Sequence, residues 1–356
     1  MRLGKVKESI LKRSVLRQLH THGQTGSPGY GEDAGFFPVE EAALIQQSIS
    51  RLIAVSVNPV EGWTLAARRI VYGAVNSLAA AGAVPEGIAP VILMPAETEE
   101  GQLKELMREI DALCRQEGMY CLAGHTAVSP FVSNLVVSTT ALGQKTVAPG
   151  SADSQQKTSP DGLISPQAAA VCPDMDIIVA GTVGREGAAV MACESEKELL
   201  SRYPAFFVEE AKCLFNDGSM GEAAALARKS GVIYVHDVRE GGIFAGLWEL
   251  AASAGTGIDI ALKNIPVRQH TIEVCEFFRL NPYMLRSGGT LLMVSVNGER
   301  AAAALCEAGI PAAVIGRTTG NNDKIIRYDD EVRYLEPPKE DELLQYYKCI
   351  NGGDYA

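Results

Sequence analysis

The run Val232-Ile233-Tyr234-Val235-His236-Asp237-Val238-Arg239-Glu240-Gly241-Gly242 constrains the fold more than any other segment of the chain. Its β-branched and aromatic start predicts a strand over 232–235, and the apolar spacing after Gly242 predicts a helix to about Ala254. A strand that passes through two glycines into a helix belongs to a layered α/β unit, because the helix must bury its apolar stripe on the sheet. Such a turn aims free backbone N–H groups and the positive end of the helix dipole at whatever lies above the strand end. Gly241 and Gly242 are therefore candidate phosphate contacts. Asp237 reads either as the cap of a tight turn or as a functional carboxylate.

A chain of 356 residues is long for one core and comfortable for two. Strands at Ala43–Ile45, Leu52–Val57, Val91–Met94 and Leu135–Gly143 alternate with helices at Leu65–Ala81 and Glu99–Glu117, which predicts an N-terminal α/β domain over 1–145. Residues 146–166 are rich in Ser, Pro, Gly, Gln and Asp and read as a flexible linker or insert. Asp176–Ala180 then opens a C-terminal α+β domain over 167–332, with helices at 186–192, 196–200, 222–229 and 242–254 and strands at 232–235, 291–296 and 313–315. Residues 333–356 form a tail carrying a polar helix behind a proline stop. Apolar positions spaced along residues 3–20 predict an N-terminal helix.

The formal net charge of −11 argues against nucleic acid or an anionic membrane as the main partner, since both require a basic footprint. It leaves room for a nucleotide, which backbone N–H groups and a metal can hold with few basic side chains. The N-terminus lacks an apolar signal core, and no uncharged apolar run reaches spanning length, so a cytoplasmic location is expected. The eight cysteines show no CxxC pair or zinc spacing, and most are expected to be buried small hydrophobes in a reducing compartment.

Several segments, taken in order, resemble motifs of the aminoimidazole ribonucleotide synthetase (PurM-like) superfamily. The His236 to Gly242 string resembles its H-D-x-(S/T)-x-G-G element, Gly31-Glu32-Asp33-Ala34 its G-(D/E)-D-A box, and Asn76-Ser77-Leu78-Ala79 its N-D-(I/L)-A helix. Gly124-His125-Thr126-Ala127-Val128 resembles the G-G-(D/E/H)-T-x-V segment, and Gly181-Thr182-Val183-Gly184-Arg185-Glu186-Gly187 the G-x-(I/V)-G-x-E-G turn. Ser287-Gly288-Gly289-Thr290-Leu291-Leu292 resembles a strand entry of that family. Cys275 to Pro282 resembles a stretch of its hydrogenase maturation branch.

This resemblance implies a two-domain fold whose N-terminal domain forms a dimeric sheet or barrel and whose C-terminal domain packs helices on a mixed sheet. It implies ATP bound beside the first domain with Mg²⁺ on its phosphates, in a homodimer with a small-molecule substrate and a possible maturation partner protein. The expected activity is phosphoryl transfer that activates an amide-like or carboxylate-like group; the alternative is a nucleotide-binding partner protein with weakened catalysis. Carried onto this chain, Asp33, Asn58 and Glu61 would hold metal; Lys5, Asn76, Gly124, Thr126, Gly241 and Gly242 would meet nucleotide or phosphate; His125 and Asp237 would be catalytic. Glu61 and Lys5 also read as solvated side chains, and His125 as a structural histidine.

The chain departs from the family pattern at Asn58 and Ser77, where an aspartate is usual, and in the segment of His125 and Ala127, where an acid is frequent, and each of these three departures removes a negative charge from the expected metal site. Cys349 is not terminal and lacks the Pro-Arg that precedes the terminal cysteine of the hydrogenase maturation enzymes.

Overall fold

The computed structural model describes residues 8–14, 33–39, 50–147, 157–159, 162–164 and 166–350. The expected strand at 43–45, and Lys5, lie outside the described residues. Of the N-terminal helix, α1 (Glu8–Ser14) is described.

A first mixed sheet is built from β1 (Gly35–Val39), β2 (Ser50–Glu61), β3 (Val84–Met94), β4 (Tyr120–Cys121), β5 (His125–Val128) and β6 (Val136–Val147), in the order β1-β2-β6-β3-β4 with β5 also on β3. Strand β3 is far longer than the apolar run 91–94 suggested, because its proline and glycine sit where the ladder tolerates them. A register shift falls between Pro85 and Gly87, and Pro90 lies between the stretches that pair with β4 (Gly87–Ile88) and β5 (Val91–Met94). At Gly87 a Cβ would stand 2.5 Å from the Tyr120 carbonyl, so the approach of β4 needs glycine there.

One face of this sheet carries α2 (Ala66–Ala80) and α3 (Glu100–Gln116). Helix α3 is amphipathic and buries only Leu106, Ile110 and Cys114. Helix α2 is buried on nearly every side, including Arg69, Asn76 and Ser77, because the second sheet unit covers the flank that the first sheet leaves open. On the opposite sheet face, Val57, Val91 and other apolar side chains are exposed.

Of the 146–166 segment, 146–147 complete strand β6, and 157–159 and 162–164 form a small hairpin, β7 (Lys157–Ser159) against β8 (Gly162–Ile164), followed by the short helix α4 (Pro166–Ala169). A second mixed sheet then takes the order β10-β12-β9-β13-β11-β14-β15. Its strands are β9 (Asp176–Ala180), β10 (Val232–Asp237), β11 (Gly257–Ala261), β12 (Leu291–Ser295), β13 (Ala312–Thr319), β14 (Lys324–Tyr328) and β15 (Glu331–Tyr334). The helices are α5 (Arg185–Glu194), α6 (Glu196–Leu200), α7 (Ala205–Lys212), α8 (Gly221–Lys229), α9 (Gly242–Ala254), α10 (Gln269–Phe278), α11 (Gly298–Glu307) and α12 (Glu342–Ile350). The architecture is thus mixed α/β with two sheet units, as expected.

Two expectations are corrected. The tail helix α12 is no polar appendage: Leu343 and Tyr346 are buried, and the Tyr346 ring meets Phe278 edge-on while its hydroxyl lies 2.9 Å from Ser195 Oγ. Nor are most cysteines buried: Cys114 and Cys275 are, whereas Cys121, Cys172, Cys213, Cys306 and Cys349 are exposed, on short strands, loops and helix ends where no core covers them. Among the described residues no helix is long and apolar enough to cross a membrane.

Ile70, fully buried in α2, anchors the first core. Ile70→Ala is expected to lower unfolding stability by roughly 2–5 kcal/mol through loss of buried methyl groups and the cavity left behind. Urea denaturation measures this, and a loss under about 1 kcal/mol would show that α2 repacks freely.

Candidate functional site

Strand β10 ends in His236 and Asp237, and α9 begins five residues later. Gly241 and Gly242 adopt φ of 77° and 64°, a region that side chains disfavour. A Cβ on Gly242 would also stand 2.6 Å from the Tyr283 carbonyl, so this residue is closed in by backbone rather than open to a ligand. The Gly241 N–H donates at 2.6 Å to Asp341, a carboxylate from the segment just before α12. The anion expected at this helix start is thus supplied by the chain itself.

Asp341 is held on its other oxygen by the N–H groups of Leu343 and Arg286. Burial pushes its pKa up to about 6, against the lowering pull of Arg286 and of the N–H donors.

His236 is fully enclosed between two carboxylates, with Nδ1 3.0 Å from Asp33 and Nε2 2.9 Å from Glu249. Burial alone would lower its pKa, but Asp33 and Glu249 outweigh it and raise the value to about 10, so the ring carries a charge at neutral pH. Asp33, expected as a metal ligand, is thereby committed to His236 and to the Asp237 N–H at 3.4 Å.

Asn58 and Ser77 meet Asp237 across the seam between β2, α2 and β10. Ser77 Oγ lies 3.2 Å from Asn58 Oδ1 and 3.1 Å from Asp237 Oδ2, and Arg239 Nη1 donates to the same Asn58 oxygen. Asp237 Oδ1 is buried without a hydrogen-bond partner among the described residues. Burial raises the Asp237 pKa to about 7, which Arg239 opposes and Asp33 reinforces.

Beside this group, Arg69 donates to Glu186 at 3.1 Å, both buried, and Arg286 reaches the same carboxylate at 3.9 Å and pairs with Glu240. Burial would raise the Glu186 pKa, but Arg286, Arg69 and Arg239 together hold it below the usual carboxylate range.

The sequence-predicted residues therefore fall into two places. Asp33, Asn58, Asn76, Asp237, Gly241 and Gly242 lie along the seam. Asn76 spends its amide on the Gly218 carbonyl and the Met220 N–H, so it stitches α2 to the second unit. Glu61, Gly124, His125 and Thr126 are exposed on the first sheet. Glu61 is an odd number of strand positions from Asn58 and so lies on the other sheet face. Among the described residues no group of three or more His, Cys, Asp or Glu is arranged to hold a metal.

Sequence reasoning missed Arg69, Arg239, Arg286, Glu249 and Asp341. Arg239 stood inside the motif at its Ser/Thr position and was the available signal; the others carry no local pattern.

Models of the AIR synthase related protein N-terminal and C-terminal domains match residues 31–144 and 173–329. The chain is 27% identical over 261 residues to a carbamoyl dehydratase HypE of Rhodobacter capsulatus, covering 72% of this chain and 71% of the relative. It superposes on a chain of a HypE–HypF complex with a TM-score of 0.69 at 19% identity, covering 92% and 99% of the two chains. Against HypE in complex with ATP the TM-score is 0.65 at 18% identity, covering 96% and 97%. These two superpositions show a shared fold.

Since the Asp341 pKa is raised on folding from 3.8 to about 6, the stability it contributes is fully present below the lower value and is lost as pH rises through the upper one. Asp341→Asn removes this titration. The excess stability of wild type over the variant should shrink between about pH 4 and pH 6 in urea titrations. A gap that widens over that range contradicts the assignment.

Proposed function

Because the chain belongs to the AIR synthase related family, whose N-terminal and C-terminal domain models match it in sequence order, we propose that it binds ATP and transfers the γ-phosphoryl group to a small amide-like or carboxylate-like substrate. In that step the bond from the γ-phosphorus to the bridging oxygen breaks, a bond from a substrate oxygen to phosphorus forms, and ADP leaves. The Rhodobacter capsulatus relative is a carbamoyl dehydratase and a structural neighbour holds ATP, which supports this substrate class and nucleotide. The observation that carries the reading is the seam where Asn58, Ser77, Asp237 and Arg239 converge between the two sheet units.

In this reading Gly124, Thr126 and Lys5 contact nucleotide and Asn76 positions the seam, while His125, paired with Val91 on the open sheet face, lies on the opposite face from Thr126 and is given no proton-transfer role. Magnesium, implied by the family resemblance, does not fit at Asp33, Asn58 and Glu61: the first is tied to His236, the second to Arg239, and the third lies on the far face.

The engagement of those residues with His236 and Arg239 favours a second reading, a nucleotide-binding maturation partner without turnover; the HypE–HypF complex is a precedent for such a partnership among structural relatives. Calorimetric titration with ATP, beside an assay of ADP release in the presence of small amides and carboxylates, separates the two. Binding with substrate-dependent ADP release supports phosphoryl transfer, binding without it supports the partner role, and no binding rejects both.

A homodimer formed through the open face of the first sheet completes the proposal, since Val57 and Val91 expose apolar surface there. Val57→Glu with Val91→Glu should convert a dimer to a monomer in light-scattering chromatography while leaving the fold intact. An unchanged mass would place the interface elsewhere.

A further inference from the structure

The oxygen atoms gathered at Asn58, Ser77 and Asp237 face a cation that is already part of the chain. Arg239 donates to Asn58 Oδ1, and that oxygen also shares the Ser77 hydroxyl proton with Asp237. A carbonyl oxygen has two lone pairs, so these two donors leave none for a metal.

The fit of the guanidinium is built into α2. A Cβ at Gly73 would stand 2.9 Å from Arg239 Nη2 and 3.2 Å from Cζ. Glycine in a helix interior is less favourable than alanine, and here it makes the room that the guanidinium occupies.

Charge points the same way. A buried Asp237 beside neutral Asn58 and Ser77 calls for a single compensating positive charge, and Arg239 is the strongest influence holding the Asp237 carboxyl down.

The arginine is also unsaturated. Arg69 and Arg286 are engaged with Glu186, and Arg286 with Glu240, whereas Arg239 makes no ion pair within 4.0 Å among the described residues and spends one donor on a neutral amide. A guanidinium has five N–H donors in a fork that suits phosphate oxygens. Arg239 is half-buried, and one hydrogen bond is the only use of its fork among the described residues.

We propose that Arg239 is the resident cation of this seam, standing where the family resemblance would put a divalent metal, and that it binds the phosphates of a nucleotide directly, without magnesium. This rests on the nucleotide reading above, so inorganic tripolyphosphate serves as a second probe that is free of the nucleoside.

Binding of ATP and of tripolyphosphate is measured by calorimetry in chelator and in millimolar magnesium, for wild type, Arg239→Gln and Arg239→Lys. Glutamine keeps a donor for Asn58, and lysine keeps the charge. Urea midpoints verify that each variant is folded. Wild type should bind both probes in chelator with affinity within about threefold of that in magnesium, and Arg239→Gln should weaken both roughly tenfold or more, with Arg239→Lys between.

Binding that requires magnesium, or that Arg239→Gln leaves unchanged, overturns the proposal. Tripolyphosphate binding through Arg239 without ATP binding keeps Arg239 as a magnesium-free polyphosphate site but overturns its assignment to a nucleotide together with the nucleotide reading, and failure of both probes rejects the two together.

Discussion

Everything at the seam depends on one buried carboxylate, Glu186, and the arginines drawn around it. Removing a carboxylate from water costs several kcal/mol, which its partners recover only when geometry is close and the remaining lone pairs are filled. Here Arg69 comes from the first sheet unit, Arg286 from the second, and the Gly288 N–H fills the other carboxylate oxygen. The pairing therefore does more than neutralise charge. It fixes how α2 lies against the second unit, since a displacement of the helix would strand a buried charge.

With α2 so placed, the smaller contacts acquire their register. Asn76 reaches the 218–220 loop, Ser77 reaches Asp237, and Tyr72 packs edge-on against Phe215 with its hydroxyl on the Asn216 carbonyl. The second unit contributes the matching rigidity. His236, gripped at both nitrogens, holds the end of β10 to Asp33 and to Glu249 on α9, while Asp341 ties the start of α9 to the C-terminal helix. Both ends of the strand-to-helix turn are thus tied down, while among the described residues Asp237 Oδ1 has no hydrogen-bond partner and Arg239 spends a single donor.

This arrangement changes the chemistry that the motif would otherwise suggest. A glycine turn at a helix start attracts anions, yet in this chain that position is taken by an internal carboxylate, and the adjacent guanidinium presents the free donors instead. The electrostatic focus has moved from backbone N–H groups to a side chain, within a few residues of the same turn.

The amino-acid pattern alone determined the layered α/β architecture, the two units, and helices such as 196–200 and 242–254, because periodicity and turn glycines act over a few residues. It also carried the family through an ordered set of short motifs. It understated β3, whose Pro85, Gly87 and Pro90 look like breakers until the neighbouring strands show a register shift at Pro85 and Gly87 and a gap between β4 and β5 at Pro90. It could not show that Arg69, Glu186 and Arg286 share one charge, that Asp341 closes the α9 start, or that Glu61 and Asn58 part to opposite faces of the sheet. Those facts join residues a hundred or more positions apart, or turn on strand register, and a buried charge finds its partner only once the chain has folded around it.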